Sequence, residues 1–117
     1  MKNYLVEKNI RLRCKKNYKE AHNHVIIGRV IEETDNYLAV KGRAFHFKSI
    51  AEKSRHLIHC SETLVRIIPW ENVEVIHWIS AKANWDSDIA FDEKGNLILD
   101  DKCHTIIAAQ RYDDVQS

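Results

Sequence analysis

The chain of 117 residues predicts a mainly-β protein: a small five-stranded barrel with an insertion between its third and fourth strands and a β-hairpin extension towards the C-terminus. Two segments and one pattern lead to that expectation. Residues 24–42, HVIIGRVIEETDNYLAVKG, read as a long strand bent at Gly28, a tight turn at Thr34-Asp35-Asn36 and a second strand. Residues 64–79, LVRIIPWENVEVIHWI, read as two short strands joined by a one-turn corner, Pro69-Trp70-Glu71-Asn72. Period-2 alternation is the pattern, because successive side chains on a strand point to opposite faces.

The first strand is IRLRCKK. Apolar Ile10, Leu12 and Cys14 alternate with basic Arg11, Arg13 and Lys15, which gives one buried and one positive face. NYKEAHN then connects to the long strand. There Val25 and Ile27 share one side while Ile26, Gly28 and Val30 share the other, so both sides are partly covered. Gly28 accepts a sharp bend because it carries no Cβ. The next strand runs from Tyr37 to about Phe47. Residues 48–63 read two ways. Ser49 with Glu52 fits a capping box, and Ile50, Ser54, Leu57 and Ile58 fall on one helical face, which predicts a helical or mobile insertion; the rival makes HLIH a strand.

Pro69 fixes its own φ and pushes Ile68 towards extended geometry, which ends the fourth strand. Beyond the corner, an outward stripe of Ile76 and Trp78 implies a cover, either another chain or the C-terminal segment. Residues 85–104 predict a hairpin whose turn, Glu93-Lys94-Gly95-Asn96, uses the positive φ that glycine allows. The remainder, TIIAAQRYDDVQS, reads as a short strand or helix running into a polar tail. The expected organisation is a barrel over residues 1–79 and an extension over 80–117.

Composition places the chain among globular proteins, with 44% hydrophobic and 30% charged residues. Net charge is +1, but the two halves differ. Residues 1–60 hold 13 Lys/Arg against 6 Asp/Glu, and residues 61–117 hold 5 against 11. That split fits a polyanion partner or head-to-tail self-association, or simply two solvated faces. Neither a signal-peptide stretch nor a membrane span is evident. Three cysteines, Cys14, Cys60 and Cys103, leave an odd thiol under any pairing, which favours a reducing cytoplasm.

Residues with chemical potential are scattered. His22-x-His24, His56-x-x-His59-Cys60 and Cys103-His104 offer metal donors, yet none has the paired spacing of a structural zinc site, so no metal or other cofactor is expected. No nucleophile has a neighbouring base in the pattern, and no enzyme activity is expected.

The succession IRLRCKK, HVIIGRVIEET, NYLAVKG and LVRII-PWEN-VEVIHWI resembles the Sm-like fold of the Sm/LSm proteins and bacterial Hfq over roughly residues 8–79. The resemblance implies a homo-oligomeric ring, in which the fourth strand of one subunit pairs with the fifth of the next, and single-stranded RNA as ligand. It also marks departures. Family members commonly carry an Asp six residues after the bend glycine and an Asn four later; here Thr34 and Asp35 stand at the sixth and seventh positions, and Asn36 follows at once. The corner lacks both the Arg-Gly of the Sm proteins and the Tyr-Lys-His of Hfq.

On this reading the RNA candidates are Asp35, Asn36 and Tyr37 at the turn, with Arg11, Arg13, Lys15, Arg29 and Lys41 as phosphate contacts. Arg66, Ile68, Ile76 and Trp78 are the candidates for the contact between subunits. The alternative is an SH3-like barrel serving protein interaction or assembly without RNA, with Trp70, Ile76 and Trp78 as its working surface.

Overall fold

The computed structural model describes residues 4–109, which form nine strands in two antiparallel sheets. They are β1 (Asn9–Cys14), β2 (Asn23–Glu33), β3 (Tyr37–Phe47), β4 (His59–Cys60), β5 (Leu64–Pro69), β6 (Val73–Trp78), β7 (Ile89–Phe91), β8 (Leu97–Leu99) and β9 (Ile106–Ala108). The larger sheet runs β6-β1-β2-β3, and the far edge of β3 is shared by β4 and β5. The smaller sheet runs β7-β8-β9.

Alternation along β2 explains how the two sheets meet. Ile26 and Val30 enter one core with Ile10, Leu12, Leu38, Val40, Ala44 and Ile68; Val25 and Ile27 enter a second core on the opposite face. The first core draws on β1, β2, β3 and β5, with Val73 and Ile76 of β6 packed against it. The larger sheet therefore curls around it. It does not close into a barrel, because β5 pairs only with β3 and β6 only with β1 among the described residues.

The second core joins Val25, Ile27, Phe45 and Phe47 to Ile89, Leu97, Leu99 and Ile107 of the smaller sheet. Each such aliphatic side chain contributes about 1.5–3 kcal/mol on burial. The two-sided apolar pattern of β2 thus has its cause in the C-terminal extension, which covers the outer face of the larger sheet. Polar ties reinforce the contact: the Arg43 guanidinium donates to the carbonyls of Trp85 and Ser87, at 3.1 and 2.7 Å, and that of Arg11 to Ile106 at 3.0 Å.

Gly28 and Gly42 face each other across β2 and β3. A Cβ on Gly28 would lie 2.3 Å from the Lys41 carbonyl oxygen, and one on Gly42 would lie 2.2 Å from that of Ile27. The two backbones approach closely here, so both positions require the missing side chain.

Several details differ from the expectation. Residues 48–63 contain one 3-10 turn, Arg55–Leu57, and the short β4, which pairs with β3. The Ser49 hydroxyl accepts from the Ala51 N–H at 3.1 Å, a local turn rather than a helix cap. Only Ile50 and Ile58 of this segment bury, while Leu57 stays 45% exposed, so no apolar helical stripe has a core to meet. Ile76 faces the first core rather than outward: the register shift between Arg13 and Cys14 puts Val73 and Ile76 on the inner side together. The hairpin forms as expected, and of the two readings of the stretch after it the short strand is found, as β9 paired with β8. The hairpin turn holds Gly95 at φ 84°, and the Asp92 carboxylate accepts from the N–H groups of Lys94 and Asn96. The tail beyond Ala109 lies outside the described residues.

Candidate nucleic-acid interface

The turn between β2 and β3 is built on one hydroxyl. Thr34 Oγ1 accepts from the N–H groups of Asn36 and Tyr37, at 3.1 and 3.0 Å, which leaves Asp35 and Asn36 exposed at the tip. The corner between β5 and β6 is a 3-10 turn, Trp70–Asn72, and it folds over this tip. The Trp70 indole N–H donates to the Thr34 carbonyl at 2.7 Å, and the Trp70 backbone N–H donates to the Asn36 carbonyl at 3.2 Å. Tyr37 lies opposite Pro69. Two loops far apart in sequence are thereby fixed together at one end of the sheet. Tyr37 donates its hydroxyl proton to Glu32 at 2.8 Å, and that bond leads the causes that raise its pKa above the ordinary tyrosine value.

The basic candidates divide. Arg11 holds the C-terminal sheet, and Arg13 sits 4.0 Å from Glu74 and bonds Asn23 at 3.4 Å. Arg29 and Lys41 are cross-strand neighbours, both exposed, with Glu7 at 3.5 Å from Arg29. Lys15 lies exposed where β1 runs into its loop to β2. Among these five cations Lys15, Arg29 and Lys41 are exposed, and Arg29 is paired with Glu7.

Of the contact candidates, Arg66 donates to the Gly42 carbonyl and to Ser61 Oγ, at 2.8 and 2.7 Å, while Ile68 is buried in the first core. Trp78 is 66% exposed. The exposed apolar side chains of β5 and β6 are instead Leu64, Val65, Ile67 and Val75, together with Trp78.

Two features escaped the sequence reading. Tyr18, 65% exposed, stands in the β1–β2 loop among Lys15, Lys16 and Lys19, an aromatic interleaved with cations. That interleaving was visible in the string KKNYK. The other is a pair of histidines, His24 and His46, directly opposite on β2 and β3 with ring centroids 4.0 Å apart. Their meeting depends on strand register, which residue type does not reveal.

Burial pushes His24 down to about 4, with the His46 ring and the Arg66 guanidinium adding to the effect. Burial also lowers His46, followed by the charges of His22, Arg66 and His59. The same effect raises the thiols of Cys14 and Cys60, which keeps both protonated and poorly nucleophilic. No group of three metal-donor side chains comes together among the described residues, and no described helix is long and apolar enough to cross a membrane. Comparison with family models, with curated proteins and with solved structures finds no match.

Proposed function

We propose that the chain is a non-catalytic, Sm-like RNA-binding protein that works as a homo-oligomeric ring. The observation that carries this reading is the pair of half-paired strands at the two ends of one curved sheet. β5 and β6 are six residues each, flank one short corner, and expose Leu64, Val65 and Ile67 along β5 and Val75 and Trp78 along β6. Edge strands with exposed apolar side chains are templates for pairing with another chain. Each copy offers two edges of different sequence, so the contact is heterologous, and a heterologous contact that closes gives a ring.

The turn and the corner supply the RNA reading. Asn36 offers a base-edge hydrogen bond, Tyr37 a stacking face and Lys41 a phosphate contact, repeated in every subunit. Light scattering tests the assembly: a mass of several subunits is expected, and a monomer overturns it. Fluorescence anisotropy with uridine-rich and adenine-rich oligonucleotides at low salt tests the ligand; binding is expected to weaken steeply as salt rises. Tyr37→Ala is expected to reduce affinity by about tenfold, in line with about 1–3 kcal/mol per stacked base.

The engagement of Arg11 and Arg13 inside the protein favours a second reading, an SH3-like interaction module whose edge strands accept a partner strand. Contact through Leu64, Val65 and Ile67 would persist at high salt, where RNA binding fails.

A further inference from the structure

Between β5, the corner and the start of the β1–β2 loop lies a cavity of about 460 Å³. Its lining includes Lys15, Asn17, His24, Arg66 and Asn72, and no carboxylate. His24 Nε2 is the one buried side-chain nitrogen or oxygen without a hydrogen-bond partner among the described residues. That atom is enclosed and does not open into the cavity, so the inference rests on the cavity's cationic, carboxylate-free wall, of which the His24 ring is a part. The ligand chemistry follows from the walls. Lys15 and Arg66 favour an anion, and the Asn17 and Asn72 side chains carry amide donors.

We propose that this cavity binds a phosphate group, either from the backbone of a nucleic acid or as free phosphate, with Lys15 and Arg66 supplying charge, Asn17 and Asn72 supplying amide donors and the His24 ring forming part of the wall. The backbone form rests on the RNA reading above; the free-phosphate form does not. The site is separate from Asn36 and Tyr37, neither of which lines the cavity.

The histidine also links binding to protons. The groups facing His24 are the His46 ring from β3, Arg66 from β5 and Lys15 from the end of β1, with His22 and His59 acting in turn on His46. All are cationic or become so on protonation, which disfavours a charged His24 in the empty protein. An anion in the cavity reverses that balance and raises the His24 pKa. Binding of a phosphodiester, whose charge stays constant, therefore tightens as pH falls from about 7 to about 5, by about tenfold for a rise of about two units in the His24 pKa.

The test follows the His24 ring resonances by NMR in the whole protein, titrated at constant ionic strength with inorganic phosphate, with a uridine oligonucleotide and with chloride as control. The expected result is a shift with phosphate or oligonucleotide and none with chloride. Lys15→Gln, at an exposed position, weakens the effective probe by about tenfold. His24→Gln removes the tightening at low pH, with circular dichroism confirming the fold. A shift with inorganic phosphate alone supports the site and counts against the RNA reading. An oligonucleotide that binds without moving His24 overturns the site and leaves the RNA reading standing. If neither probe moves His24, or chloride moves it equally, the proposal is wrong.

Discussion

Gly28 illustrates how much one hydrogen atom in place of a methyl group can decide. Its partner Gly42 and the Lys41 carbonyl fill the space a Cβ would occupy, and both belong to backbone that cannot swing aside. Gly28→Ala is expected to destabilise the fold by about 3 kcal/mol, read as a lower midpoint in urea unfolding. His24 gives the pH dependence at the same scale. Its folded pKa, about 4, lies below its ordinary value, so the unfolded chain takes up the proton first as the solution is acidified. The stability it contributes is complete above about pH 6.5 and is lost as pH falls towards about 4. Solvent screens the partly exposed ring, so the loss is about 1–2 kcal/mol. His24→Gln is expected to flatten part of the acid limb in thermal melts; His46, lowered as well, keeps the rest. Asp101 acts further down the scale. Burial raises its carboxyl, and bonds from Asn84, Thr105 and Cys103 outweigh that and hold it below the usual carboxylate range.

At the scale of elements, local pattern was a good guide wherever one face of a strand met one core. The alternation in IRLRCKK located β1, and the apolar residues on both sides of β2 correctly announced two covered faces. The turn at Thr34-Asp35-Asn36 and the corner after Pro69 were legible because Thr, Asn and Pro act on their own backbone. Segments whose form depends on distant partners were not. Ser49 and Glu52 have helix-cap spacing, yet Ile50 and Ile58 are drawn into a core built mostly by other strands, and the helix does not form. Ile76 turned inward because it pairs with Leu12 of β1, and a register shift beyond that pair brings Val73 to the same side. The candidate site divides the same way: the turn residues were readable, whereas the engagement of Arg11 with the Ile106 carbonyl and the stacking of His24 on His46 required tertiary contacts. The prediction at this scale concerns β5. Ile67 is 59% exposed, so Ile67→Lys is expected to leave the monomer fold intact by circular dichroism. Its light-scattering mass is expected to fall to that of one chain, because charge on an edge strand opposes pairing.

For the whole molecule, charge and shape give a joint expectation. If Lys15, Lys41 and their symmetry copies contact phosphates, the logarithm of affinity falls linearly with the logarithm of salt, with a slope of about −0.7 per phosphate on single strands. A Lys41→Gln variant is expected to reduce that slope and to weaken uridine-rich and adenine-rich ligands alike. The larger sheet, meanwhile, has no dry face to spare: Val25, Ile27, Phe45 and Phe47 have their neighbours in β7, β8 and β9. Gene boundaries drawn after Ile79 would therefore expose a greasy plate of two phenylalanines and two aliphatics to water. Such a shortened product should precipitate on expression, or bind dyes that report loose hydrophobic surface, rather than behave as a minimal barrel. Excision is thus the wrong route to a smaller protein here, because the appendage serves as the lid of its host.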